Sequence, residues 1–533
     1  MIVREFVSKT GELSWVFWEQ VGSAWVIGCL HRIEKETLAA VASRCGNAVS
    51  LETDLLDFLE KQCCFFSIVI DSEESVYLAV DHLGSFPLFF SVDRISGTIV
   101  VSDDAPSCSK SKMIDDLGLL EYQCTYVTYG GRTLWEDVRE VNEGTYVRID
   151  KKIGSVEERR YWEFKRAFPS SSASLDQVED VVRPVFRDVI RFLDGRTAVI
   201  PITSGLDSRT IAACLKAADY ERVLTFSIGA RDSEDVMIGK RVASNLGFPW
   251  EHVEITSEMW RERFGSDRYR EALRYSILGG RINHILMAFA LDILKGRGAL
   301  PDDAVFLPGH AGSIMGGELK CSPVFKRAIS KARLVANSCL VECRIDLPSG
   351  VRRNRLESVI ADLIDLPEGG YSYKDCAAAA DTIHTIGYIN KFIVNDVRNY
   401  EFANYEWYLP LLDRRWCDFW MNVSFEDAWR KELIRRFVNE GTAQFGLFYE
   451  KGDAPVVTLR NIVKSHAHLI SAVRRIKGCI CRSPARRNAY FSAYGQLEFK
   501  SVLKKNRYAM ELPNAKVMDD SLAVVLEDGL LQT

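Results

Sequence analysis

The sequence predicts an α/β protein in which a β-rich N-terminal part is followed by a parallel sheet covered by helices. Over residues 1 to about 163, short apolar runs such as 65–70, 76–80 and 98–101 alternate with turns rich in Gly, Asp and Ser, which is typical of β-strands. From Thr197 onward, strand-like runs alternate with stretches of helical length. That alternation favours a parallel sheet wrapped by helices.

Composition restricts the class of protein. The chain has 533 residues, of which 47% are hydrophobic and 26% charged, enough for two or three hydrophobic cores. The net charge of -5 indicates no particular partner. Fourteen cysteines without small-module spacing, and no secretory signal pattern, predict reduced thiols and a cytoplasmic location. Because no apolar run approaches the roughly 18 residues that cross a bilayer, no membrane span is predicted.

A linker and a long helix are predicted between the two parts. Residues 169–174 read Pro-Ser-Ser-Ser-Ala-Ser, a composition typical of loops. Residues 175–193 carry an amphipathic helical pattern, in which Pro184 predicts a kink or a division into two shorter helices. The expected domains are 1–165, 166–455 and a basic C-terminal extension, 456–533.

The most informative segment joins an apolar strand, 197–202, to a helix that opens near Ser208. Unpaired N–H groups and the helix dipole favour a phosphate at such a turn. Gly205 lets the backbone approach a ligand closely, and Asp207 is placed to hold a magnesium ion that bridges phosphate oxygens. The alternative is a helix capped by Ser and Thr after a buried strand. The predicted nucleotide-binding residues of this segment are Pro201, Thr203, Ser204, Gly205, Asp207 and Ser208.

This turn resembles the Ser-Gly-Gly-x-Asp-Ser loop of the asparagine synthetase family, whose members adenylate a carboxylate with ATP. When the two are aligned on residues 205–208, Thr203 keeps a hydroxyl where the family usually has serine. Ser204 replaces the first glycine of the family loop. The hydroxyl at the first position preserves a phosphate donor, whereas the lost glycine changes the geometry expected of the loop.

Later segments extend the resemblance in the same order along the chain. Residues 225–229 and 233–235 resemble the family's second strand and helix, and the resemblance places Ile228 against the adenine. Residues 306–317 stand in place of its glycine-rich acidic loop, and 406–413 in place of Glu-x-Arg-x-Pro-Phe-Leu-Asp. Loops that follow parallel strands converge at one edge of a sheet. The loop residues expected to meet at one nucleotide are Thr203, Ile228 and Gly309.

The glycine-rich loop departs from the family at its acids. The family usually has Gly-Glu-Gly-x-Asp-Glu, whereas this chain reads Gly-His-Ala-Gly-Ser-Ile from Gly309. His310 stands at the glutamate position, where an imidazole pKa of about 6.5 suits removal of a proton from ammonium; the alternative is an ordinary loop histidine. Ser313 replaces the aspartate, which leaves Asp207 as the main magnesium ligand, with phosphate and water completing the shell.

The resemblance implies an ATP- and Mg²⁺-dependent ligase. A carboxylate of aspartate, another small acid or a peptide attacks the α-phosphorus, and ammonia or an amine then displaces AMP from the acyl-adenylate. The expected catalytic lysine is Lys451, with Lys431 as second choice, and either is alternatively a surface lysine. A separate glutaminase is one source of nitrogen. Two alternatives stay open: an intramolecular lactam-forming synthetase, and a catalytically degenerate nucleotide-binding partner subunit.

The N-terminal part resembles the amidotransferase domain that precedes the synthetase domain in this family. The matching segments are 80–90, 100–103, 131–135 and 141–144. The resemblance implies an α+β sandwich like that of the N-terminal nucleophile hydrolases, followed by a parallel-sheet domain like that of the adenine-nucleotide α-hydrolases. It also implies that Asp81 is a remnant of the site that grips the amino group of glutamine.

The glutaminase itself is predicted to be inactive. The family nucleophile is a cysteine at position 2, and this chain has Ile2, which cannot attack an amide. No Asn-Gly-Glu segment of the kind that holds glutamine occurs either. A misplaced start is the alternative, although no Met-Cys pair follows downstream. Cys63 and Cys64 are expected inside a strand as small buried side chains.

Residues 457–507 are strongly basic, with twelve Lys or Arg against the single acid Glu498, a local net charge of +11. Such a segment could bind nucleic acid or anionic lipid. A solvated basic face that offsets acidic residues elsewhere is the favoured interpretation, so nucleic acid is not a predicted partner. No structural metal is predicted, because the cysteines and histidines of this segment lack further ligands: Cys479, Cys481, His466 and His468.

Overall fold

The computed structural model describes most of the chain up to the helices that follow the parallel sheet. The predictions on Lys451 and on the basic extension lie outside the described residues. The described residues are 2–7, 19–21, 24–28, 41, 48–256, 259, 262–263, 266–282, 284–310, 312–316, 329–343, 350–364, 370–441 and 445.

Two sheets form the N-terminal part. The strands are β1 (Ile2–Val7), β2 (Glu19–Val21), β3 (Ala24–Gly28), β4 (Phe66–Asp71), β5 (Ser75–Val80), β6 (Phe89–Asp93), β7 (Thr98–Ser102), β8 (Arg139–Glu140), β9 (Thr145–Asp150) and β10 (Val156–Arg160). The helices are α1 (Ala48–Leu59), α2 (Ala105–Cys108) and α3 (Asp116–Thr125). One sheet has the order β1-β7-β6-β8 and the other β10-β9-β5-β4-β3-β2. Apart from the parallel β1–β7 pair, the described pairs are antiparallel.

The residue pattern of each strand matches its place in these sheets. β5 is buried along its whole length and β4 everywhere except its last residue, which explains their nearly continuous apolar sequences. β10 lies at a sheet edge, and its sequence Val-Glu-Glu-Arg-Arg is largely exposed. Charged side chains on an edge strand oppose pairing with another chain. The predicted β-rich N-terminal part is thereby confirmed.

A single long helix, α4 (Leu175–Leu193), links the two parts. The hydroxyl of Ser174 accepts from the Gln177 backbone and the Gln177 side chain accepts in return, which forms a capping box. Val178 and Val189 are buried on either side of Pro184. Because this face packs on both sides of the proline, the helix continues through it, and the expected division into two shorter helices is wrong.

The second part is built on a parallel sheet with the order β13-β12-β11-β14-β17. Its strands are β11 (Ala198–Pro201), β12 (Val223–Ile228), β13 (Trp250–Val253), β14 (Val305–Phe306) and β17 (Glu406–Trp407). The connecting helices are α5 (Leu206–Ala217), α6 (Glu234–Leu246), α7 (Asp267–Ile277) and α8 (Leu286–Gly296). Each described pair in this sheet is parallel, so the predicted α/β class is confirmed. The strand order reverses between β11 and β14, which is where ligands bind in such sheets.

The remaining described elements are mostly helical. They are β15 (Ile329–Ser330), α9 (Lys331–Glu342), α10 (Gly350–Asp362), β16 (Gly370–Tyr371), α11 (Tyr373–His384), α12 (Arg398–Phe402), α13 (Arg414–Met421), α14 (Phe425–Ala428) and α15 (Glu432–Arg436). A π-helical segment, Thr385–Ile393, and a 3₁₀ turn, Val394–Val397, connect α11 to α12. None of the described helices is both long and apolar enough to cross a membrane.

Buried polar contacts join the N-terminal part to the parallel-sheet part. His82 Nε2 lies 2.7 Å from the carbonyl oxygen of Leu412. Glu140 forms ion pairs with Arg281 and, at 3.0 Å, with Lys391 Nζ, and all three side chains are almost completely buried. Buried ionic pairs are costly to break, because one uncompensated charge is left behind. These buried contacts therefore fix the position of the N-terminal part against the parallel-sheet part.

Candidate active site

The predicted phosphate loop lies at the carboxyl edge of the sheet, between the end of β11 and the start of α5. Gly205 is the N-cap of α5 and supplies no side-chain hydrogen bond. The first-turn amides of α5 therefore have no side-chain cap, which suits an anion. Ile228 ends the neighbouring strand β12 and is half-buried. Both loops therefore follow the carboxyl ends of adjacent parallel strands, and their convergence on one nucleotide stays a prediction.

Hydrogen bonds shape this loop from within. The backbone N–H of Thr203 donates to Ser208 Oγ at 3.2 Å, and that of Gly205 donates to Thr203 Oγ1 at 3.2 Å. Ser204 donates to Asp235 Oδ1 twice, from its N–H at 2.9 Å and from its hydroxyl at 2.6 Å. Asp235 thus ties the residue that replaces the family glycine to the first turn of α6. The sequence analysis assigns no role to Asp235, although acidic residues at the start of a predicted helix were the signal that could have identified it.

Asp207 forms an ion pair with Lys431, the second choice for the catalytic lysine. Lys431 Nζ lies 2.7 Å from Oδ1 and 3.0 Å from Oδ2 of Asp207, and each side chain is 23% exposed. Both Lys431 and its neighbour Arg430 have left-handed backbones, with φ of 59° and 54°. Two consecutive non-glycine residues in this region are costly, and such strain concentrates at functional sites.

The glycine-rich loop packs directly on the phosphate loop. A Cβ added to Gly309 would lie 2.6 Å from the backbone nitrogen of Ser208. A Cβ added to Gly312 would overlap the carboxylate of Asp207, and one added to Gly316 would overlap the carbonyl oxygen of Ala428. The loop therefore needs glycine at these positions for close approach. Close packing explains why this segment is rich in glycine, although it lacks the acids that the asparagine synthetase family has there.

Arg166 fixes the far side of this loop. Its guanidinium donates to Asp381 Oδ2 at 2.7 Å and to the carbonyl oxygen of Ile314 at 2.6 Å, and it also donates to the carbonyl oxygen of Trp420. The side chain is completely buried. Since Ile314 follows Gly312 by two residues, Arg166 anchors the turn that lies against Asp207.

His310 lies next to Gly309 in a cluster that the sequence did not predict. Its Nδ1 is buried and has no hydrogen-bond partner among the described residues. Burial lowers its pKa, which nearby Asp396 raises in part and His284 lowers further. The ring centroid of Tyr400 is 6.5 Å away. His284 and Asp396 carry no sequence motif and were missed for that reason.

The donor set at Asp207 fits a magnesium ion that arrives with a phosphate group. No group of three or more His, Cys, Asp or Glu side chains suited to a metal occurs in the described part of the chain. Magnesium in nucleotide sites uses one or two carboxylates and keeps several waters. Asp207 is placed to supply one carboxylate, while the positive charge it now meets comes from Lys431. The backbone of Ser313 belongs to the 3₁₀ turn Gly312–Met315 beside it.

The two acids of segment 406–413, Glu406 and Asp413, form hydrogen bonds and ion pairs with neighbouring side chains. Glu406 Oε1 accepts from Arg196 Nη1 at 2.8 Å. Asp413 caps α13 and accepts two bonds of 2.8 Å from Arg415, while the Tyr408 hydroxyl donates to it at 3.2 Å. Both carboxylates are therefore satisfied by their neighbours.

Asp81, the predicted remnant of a glutamine site, is completely buried. Its carboxylate accepts from the backbone N–H of Phe66 at 3.0 Å and of Leu83 at 2.8 Å, and from the Ser85 hydroxyl. Burial raises its pKa to about 6, against the lowering effect of these bonds. The carboxylate thus holds its own turn together, and a role in binding an amino group stays a prediction.

The cysteine pair near this turn lies outside any strand. Cys63 and Cys64 fall between α1 and β4, so their expected placement inside a strand is wrong. The apolar run that includes them continues into β4, and the strand itself begins only at Phe66. Cys64 is buried as expected, and burial followed by the charge of Asp413 raises the pKa of the half-buried Cys63. Ile2 lies in β1, opposite Thr98 of β7.

Comparison with known families supports the assignment of the parallel-sheet part. Residues 196–264 match the family model described as asparagine synthase. This span contains β11, the phosphate loop, α5, β12, α6 and β13. It supports a synthetase-type domain with a nucleotide site, and a ligase class of enzyme.

Among solved structures, the chain is similar to glutamine phosphoribosylpyrophosphate amidotransferase from B. subtilis, complexed with ADP and GMP. The identity is 15%, the match covers 55% of this chain and 63% of that chain, and the TM-score is 0.19. A likeness at this level carries no argument about fold. No curated protein matches the chain.

Proposed function

We propose that this protein is an ATP-dependent ligase that activates a carboxylate as its acyl-adenylate and joins it to ammonia or an amine. One observation carries the proposal: Asp207 and Lys431 meet over the uncapped start of α5, within the segment that matches the asparagine synthase model. A helix N-terminus and a lysine suit the phosphates of a nucleoside triphosphate, and a carboxylate suits its magnesium ion.

The chemistry follows from where charge develops. Attack of the carboxylate on the α-phosphorus forms a C(O)–O–P linkage and expels pyrophosphate, so negative charge grows on the phosphate oxygens. The N–H groups of α5 stabilise that charge, and Lys431 is placed to transfer its bonds from Asp207 to phosphate. Asp207 is then available to the magnesium ion. Lys451 stays a proposed second cation for the same charge.

The two alternative functions differ in whether they release pyrophosphate and with which substrate. An intramolecular lactam synthetase would release pyrophosphate only with a substrate that carries both a carboxylate and an amine. A degenerate nucleotide-binding subunit would bind ATP and release no pyrophosphate. The altered glycine-rich loop and Ile2 favour that last candidate, whereas the intact pairing of Asp207 with Lys431 favours an enzyme.

Pyrophosphate release from ATP, measured with a panel of carboxylic acids and amino acids, tests the proposal. We expect release that depends on one class of carboxylate, together with AMP in equal amount. Asp207→Asn serves as the inactive reference. Binding of ATP without carboxylate-dependent release would assign the chain to the degenerate class, and release that requires an amine in the same molecule would assign it to the lactam class.

A further inference from the structure

A histidine and a carboxylate form a preorganised pair beside the glycine-rich loop. His284 precedes α8, and Asp396 lies in the 3₁₀ turn Val394–Val397. The backbone N–H of His284 donates to Asp396 Oδ1 at 2.7 Å, and its ring Nδ1 lies 2.7 Å from Oδ2. Because a carboxylate only accepts, Nδ1 carries the hydrogen. Asp396 therefore fixes both the orientation and the tautomer of the ring.

The exposure of the two groups suits proton transfer. The Asp396 side chain is 10% exposed, whereas that of His284 is 29% exposed. With Nδ1 engaged by the carboxylate, Nε2 is the nitrogen that takes up a proton, and the carboxylate stabilises the resulting imidazolium. A proton on this ring has a route to solvent.

The glycine-rich loop links the pair to the nucleotide loop. Gly309 packs on the backbone of Ser208 at the start of α5, and His310 is the next residue. The charges that act on His310 are those of Asp396 and His284. The titratable groups that face the pair are thus His310 from the loop after β14 and Tyr400 from α12, whose pKa is raised by burial and by Asp396.

We infer that His284 is the general base for the incoming amine, with Asp396 as its positioning residue. The inference rests on the proposed function and names its base. Within the part of the chain that the structure describes, the buried His310 Nδ1 has no partner, so an N–H of the incoming ammonium would satisfy it. The cluster thereby offers both a hydrogen-bond acceptor and a base to one nitrogen.

The proton balance is simple. His284 Nε2 removes one proton from the ammonium, which leaves a neutral amine with a free electron pair. That pair attacks the acyl carbon, so a C–N bond forms and the C–O bond to AMP breaks. The nitrogen loses a second proton, which passes to solvent water, as the amide forms. His284 releases its proton to solvent, and AMP leaves as the anion.

His310 is less suited to be the base. Burial and the neighbouring His284 lower its pKa, so it holds a proton weakly near neutral pH. It makes no hydrogen bond to a carboxylate in the described structure, in contrast to His284. Its part is to accept a hydrogen bond from the amine, which a neutral imidazole can do.

Two nucleophiles distinguish a base from a structural residue. Near neutral pH ammonia is protonated and needs a base, whereas hydroxylamine is already neutral and needs none. With ATP and the carboxylate that gives the greatest pyrophosphate release, we expect His284→Ala to reduce amide formation from ammonium about a hundredfold or more. Hydroxamate formation from hydroxylamine, and the pyrophosphate release that accompanies it, should change less than about threefold, because capture of the adenylate by a neutral nucleophile does not use the base.

Asp396→Asn is the companion variant, and it should give the same selective loss with a smaller magnitude. Equal losses with both nucleophiles would mean that the pair only supports the fold, and unchanged amide formation from ammonium would overturn the inference. A selective loss in His310→Ala that exceeds that of His284→Ala would move the base to His310.

A second measurement does not depend on activity. The chain has eight histidines, and nitrogen NMR of histidine-labelled protein reports the tautomer of each. His284→Gln assigns the His284 signals. We expect a protonated Nδ1 at neutral pH and loss of that preference in Asp396→Asn. A ring protonated on Nε2 would overturn the pair, whereas failure of pyrophosphate release with a correct tautomer would overturn the proposed function instead.

Discussion

Lys431 Nζ lies 2.7 Å from Oδ1 of Asp207, although the two residues are 224 positions apart in the chain. Asp207 lies in the first turn of α5, and Lys431 is the second of two consecutive left-handed residues. The pair thus connects the start of the parallel-sheet domain to its last described helices.

Removal of this lysine should affect activity more than stability. We expect Lys431→Met to lower pyrophosphate release about a hundredfold or more, because one contact to developing charge contributes roughly 3 kcal/mol. The pair is partly exposed, so its contribution to the free energy of unfolding should be about 1 kcal/mol or less. Steady-state pyrophosphate release and thermal unfolding measure the two effects.

Lys110→Met is the matched control, since Lys110 Nζ lies 3.1 Å from Asp93 in an exposed ion pair of the N-terminal part. It should leave pyrophosphate release unchanged. Asp207→Asn should lose about as much activity as Lys431→Met, and the double variant little more, because the two act on one phosphate group. Strictly additive losses would mean that the residues act independently.

Gly312 should tolerate no side chain. Its added Cβ would overlap the Asp207 carboxylate, so Gly312→Ala must displace either the loop or the carboxylate. We expect pyrophosphate release to fall by a factor of about a hundred, as for a group misplaced by about 1 Å. Gly296→Ala is the control, because nothing lies within 4 Å of its added Cβ. Near-normal activity in Gly312→Ala would show that Asp207 is not needed in its present position.

The protein should release no glutamate from glutamine above a blank. Residue 2 is isoleucine, and the Asp81 carboxylate is already bonded to its own turn. We expect Ile2→Cys to restore no glutaminase either, because a nucleophile without a glutamine site has no substrate to attack. Coupled glutamate detection measures this. Clear glutamate release by Ile2→Cys would show that the rest of the glutaminase site is intact.

The sequence predicted local chemistry better than distant pairing. The phosphate loop is predicted because Gly205, Asp207 and Ser208 follow a strand within a few residues, and that order indicates an anion site. The ion pair with Lys431 depends on chain folding over more than two hundred residues, so no spacing rule ranked it above Lys451. His284 and Asp396 are 112 positions apart and carry no motif.

The errors have equally local causes. The missing N–H of Pro184 predicts a break in the helix, whereas the buried valines on both sides of it keep the helix continuous. Cys63 and Cys64 were assigned to a strand by hydrophobicity alone. A strand and the turn that leads into it can both be apolar and buried. The predicted start of a strand can therefore be wrong by several residues.

His82 should contribute stability that is lost in mild acid. This ring is buried, donates to the Leu412 carbonyl, and has a pKa lowered by burial from 6.5 to about 3. The unfolded chain binds a proton on His82 below pH 6.5 while the native state does not, so the contribution is complete above that pH and is lost on acidification. Between pH 6.5 and about pH 5 the loss from His82 alone should be about 2 kcal/mol, which the difference between the wild type and a variant that does not titrate isolates. Urea unfolding at several pH values measures it.

His82→Gln separates this effect from that of its neighbour Asp81. Glutamine can still donate to Leu412 but does not titrate, so the variant should lose less stability than the wild type as the pH falls. Asp81 acts in the opposite direction: its raised pKa of about 6 means that the native state takes up a proton first, which favours the native state as the pH falls from 6 toward 3.8. Asp81→Asn should therefore steepen the loss in acid. Equal acid dependence in wild type and His82→Gln would mean that the ring is not held neutral against Leu412, and that the contact between the two parts opens before acid unfolding begins.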